Sequence, residues 1–243
     1  MSLLVHTGGN VVTKEELALV PVPEATESYV PVPHDQLADT LLTVGQDILK
    51  GFSLKRELYA MARNGNQMFG VLVFKNGRDE LGLSIGFRNS YDKSMAIGIA
   101  IGADVFVCDN LAFTGEITVL RKHTANVWFS LEDIAISTLY RSQKNFNKII
   151  EDAEMLKARE INDQEAFKMI GLLYGHNVLS PRQLPAVKKE WLKPSYEDFN
   201  PRNLWSFYNA CTEALKTYPP VVIMEKHIAL HNTITMSLMT AEY

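Results

Sequence analysis

Hydrophobic and polar positions follow three different rhythms along the chain. Over residues 1–33, valines and threonines are interrupted by Pro21, Pro23, Pro31 and Pro33. Proline fixes its own φ and keeps the preceding residue extended, so this stretch predicts an extended arm rather than a helix. Its missing donors suit the edge of its own domain or a neighbouring subunit better than a central strand. From Asp35 to Leu49 the period changes. Leu37, Leu41, Val44 and Ile48 fall on one face of a predicted helix, and Gly51 ends it.

From Gln67 to Leu120, short β-type runs are separated by glycine, asparagine and aspartate, the pattern of an antiparallel meander. The runs are Met68 to Phe74, Leu81 to Phe87, Ser94 to Ile101, Val105 to Cys108 and Glu116 to Leu120. Asn76-Gly77-Arg78-Asp79 supplies a tight hairpin between the first two, and Gly102-Ala103-Asp104 is read as a turn between the third and fourth.

Beyond His123 the period is helical. Ser130 with Asp133 is read as the opening of a long amphipathic helix whose buried stripe is Ile134, Phe146, Ile149, Ala153 and Leu156. Asn162 with Glu165 is a capping box, and Gly175 ends that helix. Ser180-Pro181 and Asn200-Pro201 each place a capping side chain before a proline and predict two more helix starts, while Pro219-Pro220 separates the last two helices. The fold class expected is α+β: an extended arm over 1–33, then one domain over 34–243. In that domain a meander of about five strands (about 67–121) carries a helical half (about 130–240) packed on the sheet.

Composition narrows the partners more than the fold. A net charge of −4 among 243 residues supplies no global attraction to nucleic acid or anionic lipid, so any such contact must be local. Cys108 and Cys211 show neither metal-ligand nor disulfide spacing, and no run approaches the roughly 20 apolar residues that span a bilayer. The N-terminus lacks a signal-peptide pattern, so the expected location is the cytoplasm.

Three motifs stand in register: Arg88-Asn89-Ser90-Tyr91-Asp92-Lys93-Ser94, then Val107-Cys108-Asp109-Asn110 with Arg121-Lys122-His123-Thr124, then Asn203-Leu204-Trp205-Ser206-Phe207-Tyr208-Asn209-Ala210-Cys211-Thr212-Glu213. They resemble the phage- and plasmid-associated proteins of the domain of unknown function 932 family. The resemblance implies a mobile-element setting and carries over no catalytic or binding residue. At fold level alone, an antiparallel sheet followed by a long helix also resembles the single-strand annealing proteins of phage recombination.

The candidate chemistry is a mixed-charge sheet end. Arg88, Lys93, Arg121, Lys122 and His123 are the expected phosphate donors, with Asn89 and Ser90 adding neutral hydrogen bonds and Asp109 and Asn110 nearby. The bland alternative is an Asx-type turn at Asn89, Ser90 and Asp92, with Arg88 paired to Asp109 across strands. Arg141, Lys144 and Lys148 form a basic helical stripe that suits a phosphate backbone or simply a solvated face. Trp128-Phe129 and Trp205 to Tyr208 offer base stacking, though their spacing favours the core. Cys108 would need His123 as its base to act as a nucleophile. His227 and His231, four apart, could ligate a metal but have only Glu225 as a close carboxylate. Gly8-Gly9-Asn10 lacks the lysine and helix of a phosphate loop.

These features favour a non-enzymatic protein binding single- or double-stranded DNA as a homo-oligomer, in recombination or DNA metabolism, with no metal, cofactor or membrane. The alternatives are a module that binds a host protein, such as a defence factor, and a Cys/His or metal-dependent enzyme.

Overall fold

A computed structural model describes residues 9–77, 81–105, 110–218 and 220–240. Six strands form one sheet in sequence order, β1 (Asn10–Val12), β2 (Ser53–Ala62), β3 (Gln67–Lys75), β4 (Leu81–Ser90), β5 (Ile97–Val105) and β6 (Asn110–Arg121), and every neighbouring pair is antiparallel. The arm lies along its own domain: β1 pairs with β2 at the sheet edge. A short helix α1 (Lys14–Ala18) follows, started by a reciprocal Thr13–Glu16 capping box. No helix among the described residues is long and apolar enough to cross a membrane.

The period-2 alternation of β3, β4 and β5 divides the core between two faces. On one face Met68, Leu72, Phe74, Leu83, Ile85, Phe87, Ile99 and Ile101 pack under α2 (His34–Ile48) and the long α3 (Val127–Ala158). On the other, Phe69, Val71, Val73 and Ala100 meet Ile223 and Met224 of α7 (Pro220–Thr240). The sheet is therefore covered on both faces, with α4 (Asp163–Gly175), α5 (Leu184–Leu192) and α6 (Leu204–Leu215) completing the helical half. Close strand approach needs Gly70, because a Cβ there would stand 2.3 Å from the ring of Phe87 directly opposite.

Several local expectations need correction. Gly102-Ala103-Asp104 is not a turn but part of β5, where the buried Asp104 carboxylate takes two hydrogen bonds from Arg56 of β2 at 2.8 and 2.9 Å. Of the runs expected from Val105 onward, Val105 ends β5 and 106–108 lie outside the described residues, while Glu116 to Leu120 falls within the longer β6, whose pairing with β5 shifts register between Ala100 and Gly102. β2 was not expected. Ser130 lies inside α3 rather than at its start, its hydroxyl bonded to the carbonyls of Asn126 and Val127. α5 and α6 start three residues after Pro181 and Pro201, and Asn203, not Asn200, caps α6 through its bond from the Ser206 amide. The Asn162–Glu165 box forms as read, and so does the α3 stripe: Phe146, Ile149, Ala153 and Leu156 are buried, with Ile134 packed against them.

Candidate functional site

The strands place three connections at one end of the sheet: the β2–β3 turn, the β4–β5 turn and the stretch after β6. Arg63, Asn64 and Gly65 all take positive φ in the first, and Lys93 does so in the second. Asp92 holds the second turn by accepting from the Ser94 amide (3.0 Å) and from Gln67 (3.1 Å), while the Ser90 hydroxyl donates to the Met95 carbonyl and accepts from its amide. Asx-type turn chemistry therefore centres on Asp92, not Asn89.

Asn89 points instead into a buried polar node. Its Nδ2 donates to the Val32 carbonyl of the arm (2.6 Å) and contacts Nδ1 of His34 (3.0 Å), and its Oδ1 meets Nε2 of His123 (2.7 Å). His34, the first residue of α2, reaches the Gly65 carbonyl through Nε2 (2.9 Å). Two backbone carbonyls settle the proton positions, since a carbonyl can only accept. Gly65 requires a proton on His34 Nε2, which leaves Nδ1 of the neutral ring bare to accept from Asn89. Val32 requires the Asn89 amide nitrogen on its side, so Oδ1 faces His123 and His123 Nε2 donates. Burial pushes the His34 imidazolium down to about 4, the charge of nearby His123 acting in the same direction, and burial also lowers His123. Both rings rest on tyrosines. His34 stacks on Tyr91 at 3.9 Å, and His123 lies 5.2 Å from Tyr29. The hydroxyl of Tyr29 donates to the carbonyl of Ser90 (3.2 Å), and that of Tyr91 accepts from the His34 amide.

The two motifs at Asn89 and His123 thus converge, but inside the protein. Arg88, Asn89, Ser90 and His123 are all buried. Arg88 leaves on the opposite face across Gly98 and forms a two-pronged pair with Glu225 of α7 at 2.8 and 3.2 Å. Its expected partner Asp109 lies outside the described residues. Of the expected phosphate donors, Lys93 and Lys122 face solvent and Arg121 is half-buried, bonded to the Ser130 hydroxyl. Sequence reasoning missed Arg63, whose exposed side chain stands 3.8 Å from Asp92 on the same rim. Asn110 does not join them, for it opens β6 at the far end, about 35 Å away at the rise of a strand. Lys93 sits 4.8 Å above the Tyr29 ring.

Elsewhere, Arg141 and Lys148 are exposed on α3 beside the exposed Tyr140, while the side chains of Lys144, Trp128 and Phe129 lie outside the described set. Trp205, Phe207 and Tyr208 are core residues. Cys108, the expected nucleophile, lies outside the described residues. His227 is fully buried and His231 contacts Asp152 at 3.3 Å. Among the described residues no three His, Cys, Asp or Glu side chains are grouped to hold a metal.

The end of the sheet thus carries a buried polar node of His34, Asn89 and His123 beneath the exposed cations Arg63, Lys93 and Lys122. The sequence profile of the domain of unknown function DUF932 matches residues 25–233, and the chain belongs to that family. No curated protein and no solved structure matches it.

Proposed function

We propose that this DUF932 chain binds nucleic acid, without chemistry of its own, through the cationic rim of Arg63, Lys93 and Lys122 at the Asn89 end of the sheet. The supporting observation is that these exposed cations sit on turns pinned from beneath by the His34–Asn89–His123 node. Ordered turns hold the charges in one geometry, so little side-chain and loop freedom is lost when a phosphate docks. The chain's net charge of −4 makes such binding local and salt-sensitive. A role in DNA metabolism or recombination fits the mobile-element setting that its motifs imply. Fluorescence anisotropy with single-stranded and duplex DNA at low salt tests the reading. Binding that weakens at least tenfold in the Lys93→Ala/Lys122→Ala double variant is expected; no binding of either DNA at low salt refutes it.

A second reading, a protein-binding module, is favoured by one feature. Helix α4 turns Phe167, Leu172 and Tyr174 to solvent, with nothing within 4 Å of a Cβ placed at Gly171. A stoichiometric host protein that survives nuclease treatment and is lost in Phe167→Ser would select this reading over the first.

A further inference from the structure

The hydrogen bonds of the node run in one direction. His123 Nε2–H donates to Asn89 Oδ1, the two Asn89 amide protons go to Val32 O and His34 Nδ1, and His34 Nε2–H donates to Gly65 O. Val32 belongs to the arm, whose ties to this end include the Val30 amide on the His123 carbonyl (3.0 Å), the Tyr29 hydroxyl on the Ser90 and Tyr91 carbonyls (3.2 and 3.4 Å) and the buried side chains of Tyr29 and Val32. Three groups, from the arm, the start of α2 and the stretch after β6, therefore meet at one asparagine.

We propose that this chain is a proton-operated latch: a proton taken up by Nδ1 of His34 expels the Val32 carbonyl and releases the arm around Thr26 to Pro33 from the end of the sheet. The argument is a count of donors and acceptors. With Nδ1 protonated and Asn89 unmoved, two N–H groups face each other at 3.0 Å. Turning the Asn89 amide over repairs that contact, because Oδ1 then accepts from His34, and a shift of the His123 proton to Nδ1 lets its bare Nε2 accept from Nδ2. In that arrangement Oδ1 also faces the Val32 carbonyl, where two acceptors repel. No orientation satisfies all four groups, and the one left facing another acceptor is the Val32 carbonyl, which belongs to an arm segment outside the sheet and the helices.

The charged and titratable groups around His34 are Asp35 on its own helix, His123 and Lys122 after β6, Tyr91, Asp92 and Lys93 in the β4–β5 turn, Arg63 beside Gly65, and Tyr29 of the arm. Asp35 favours the charged ring and His123 opposes it, but desolvation outweighs both. The sign follows. The latched state holds the ring down to about 4 against an ordinary 6.5, so it binds fewer protons than the released state, and release grows as pH falls. Between pH 8 and pH 5 the ratio of released to latched chain rises ~30-fold.

Hydrogen–deuterium exchange of the full chain at both pH values, corrected for intrinsic rates, tests this. Peptides spanning Thr26 to Val30 should exchange ~30-fold faster relative to the latched state at pH 5, while peptides of Gln67 to Lys75 stay protected. His123→Gln keeps the donor to Asn89 and should show the same response. His34→Asn keeps an acceptor where Nδ1 stood but cannot titrate, and should show none. Unchanged arm protection in the wild type overturns the latch. So does a parallel rise in both peptides, which would mean global acid unfolding, or a His34→Asn arm that still opens. Should His34→Asn fail to fold, an NMR titration of the wild-type His34 ring replaces it. Its midpoint must coincide with that of arm exchange, and a ring that titrates while the arm stays protected refutes the mechanism.

Discussion

Asn89 spends both amide protons and its oxygen on groups from the arm, α2 and the stretch after β6, and Val32, His34 and His123 are all buried. Replacing it by alanine strands a carbonyl, an imidazole nitrogen and an imidazole N–H in the interior. The individual penalties, ~1–3 kcal/mol each, do not add fully, so a loss on the order of 3 kcal/mol is expected, read as a lower midpoint in urea with an unchanged slope. Cys211 offers a contrasting case. It is fully buried on α6, and burial pushes its thiol well above the ordinary range, so it is a small hydrophobe rather than a nucleophile. Peptide mapping after iodoacetamide treatment of the native chain should leave Cys211 unmodified until denaturant is added. The convergence of Asn89 with His123 was legible because both lie at strand ends in one meander. The remaining partner was not. His34 stands 55 positions before Asn89, at the first turn of a helix, where nothing in the local pattern marks a histidine as a core acceptor.

Strands and helices were readable wherever their period was clean, and misread where a residue type served two purposes. The alternation of β3 and β4 and the stripe of α3 depend on large apolar residues that have no other use in a soluble core. Gly102 and Asp104 belong to the usual vocabulary of turns, but here the glycine lies opposite Ser84 and the aspartate is a buried ion-pair partner of Arg56 on β2, three strands along the sheet, which only the assembled sheet can reveal. β2, Ser-Leu-Lys-Arg-Glu-Leu-Tyr-Ala-Met-Ala, lies near the sheet edge, with exposed and half-buried positions alternating along most of its length, so polar residues interrupt the apolar signal. The β3–β4 interface supplies a direct check on the register. Gly70→Ala puts a methyl carbon 2.3 Å from the Phe87 ring, which must leave its rotamer or push the strands apart. A destabilisation of ~2 kcal/mol, measured by thermal or urea unfolding, is expected, and Phe87→Leu in the same chain should recover part of it.

At the scale of the whole molecule, charge decides how the rim can work. On the proposed reading, a chain of net −4 repels a polyanion at long range, so the three exposed cations on one end would act within a Debye length, ~10 Å at 0.1 M salt, and without steering from afar. The footprint then limits the thermodynamics. Three phosphate contacts predict a slope of log Kobs against log salt near −2.7 for duplex DNA and near −2.1 for a single strand, by the usual ~0.9 and ~0.7 per contact. Removing Lys93 or Lys122 singly should reduce the slope by about one contact, with little change in stability because both side chains are exposed. Removing Arg88 should act in the opposite way. Its side chain is buried against Gly98 and Glu225 beneath the rim, so Arg88→Met is expected to lower the unfolding midpoint while leaving the salt slope of the folded fraction unchanged. Salt titrations by fluorescence anisotropy, run beside urea melts of the same variants, separate the two. A slope that falls with Arg88 but not with the lysines would place the contact surface on the α7 face of the sheet instead of at its end.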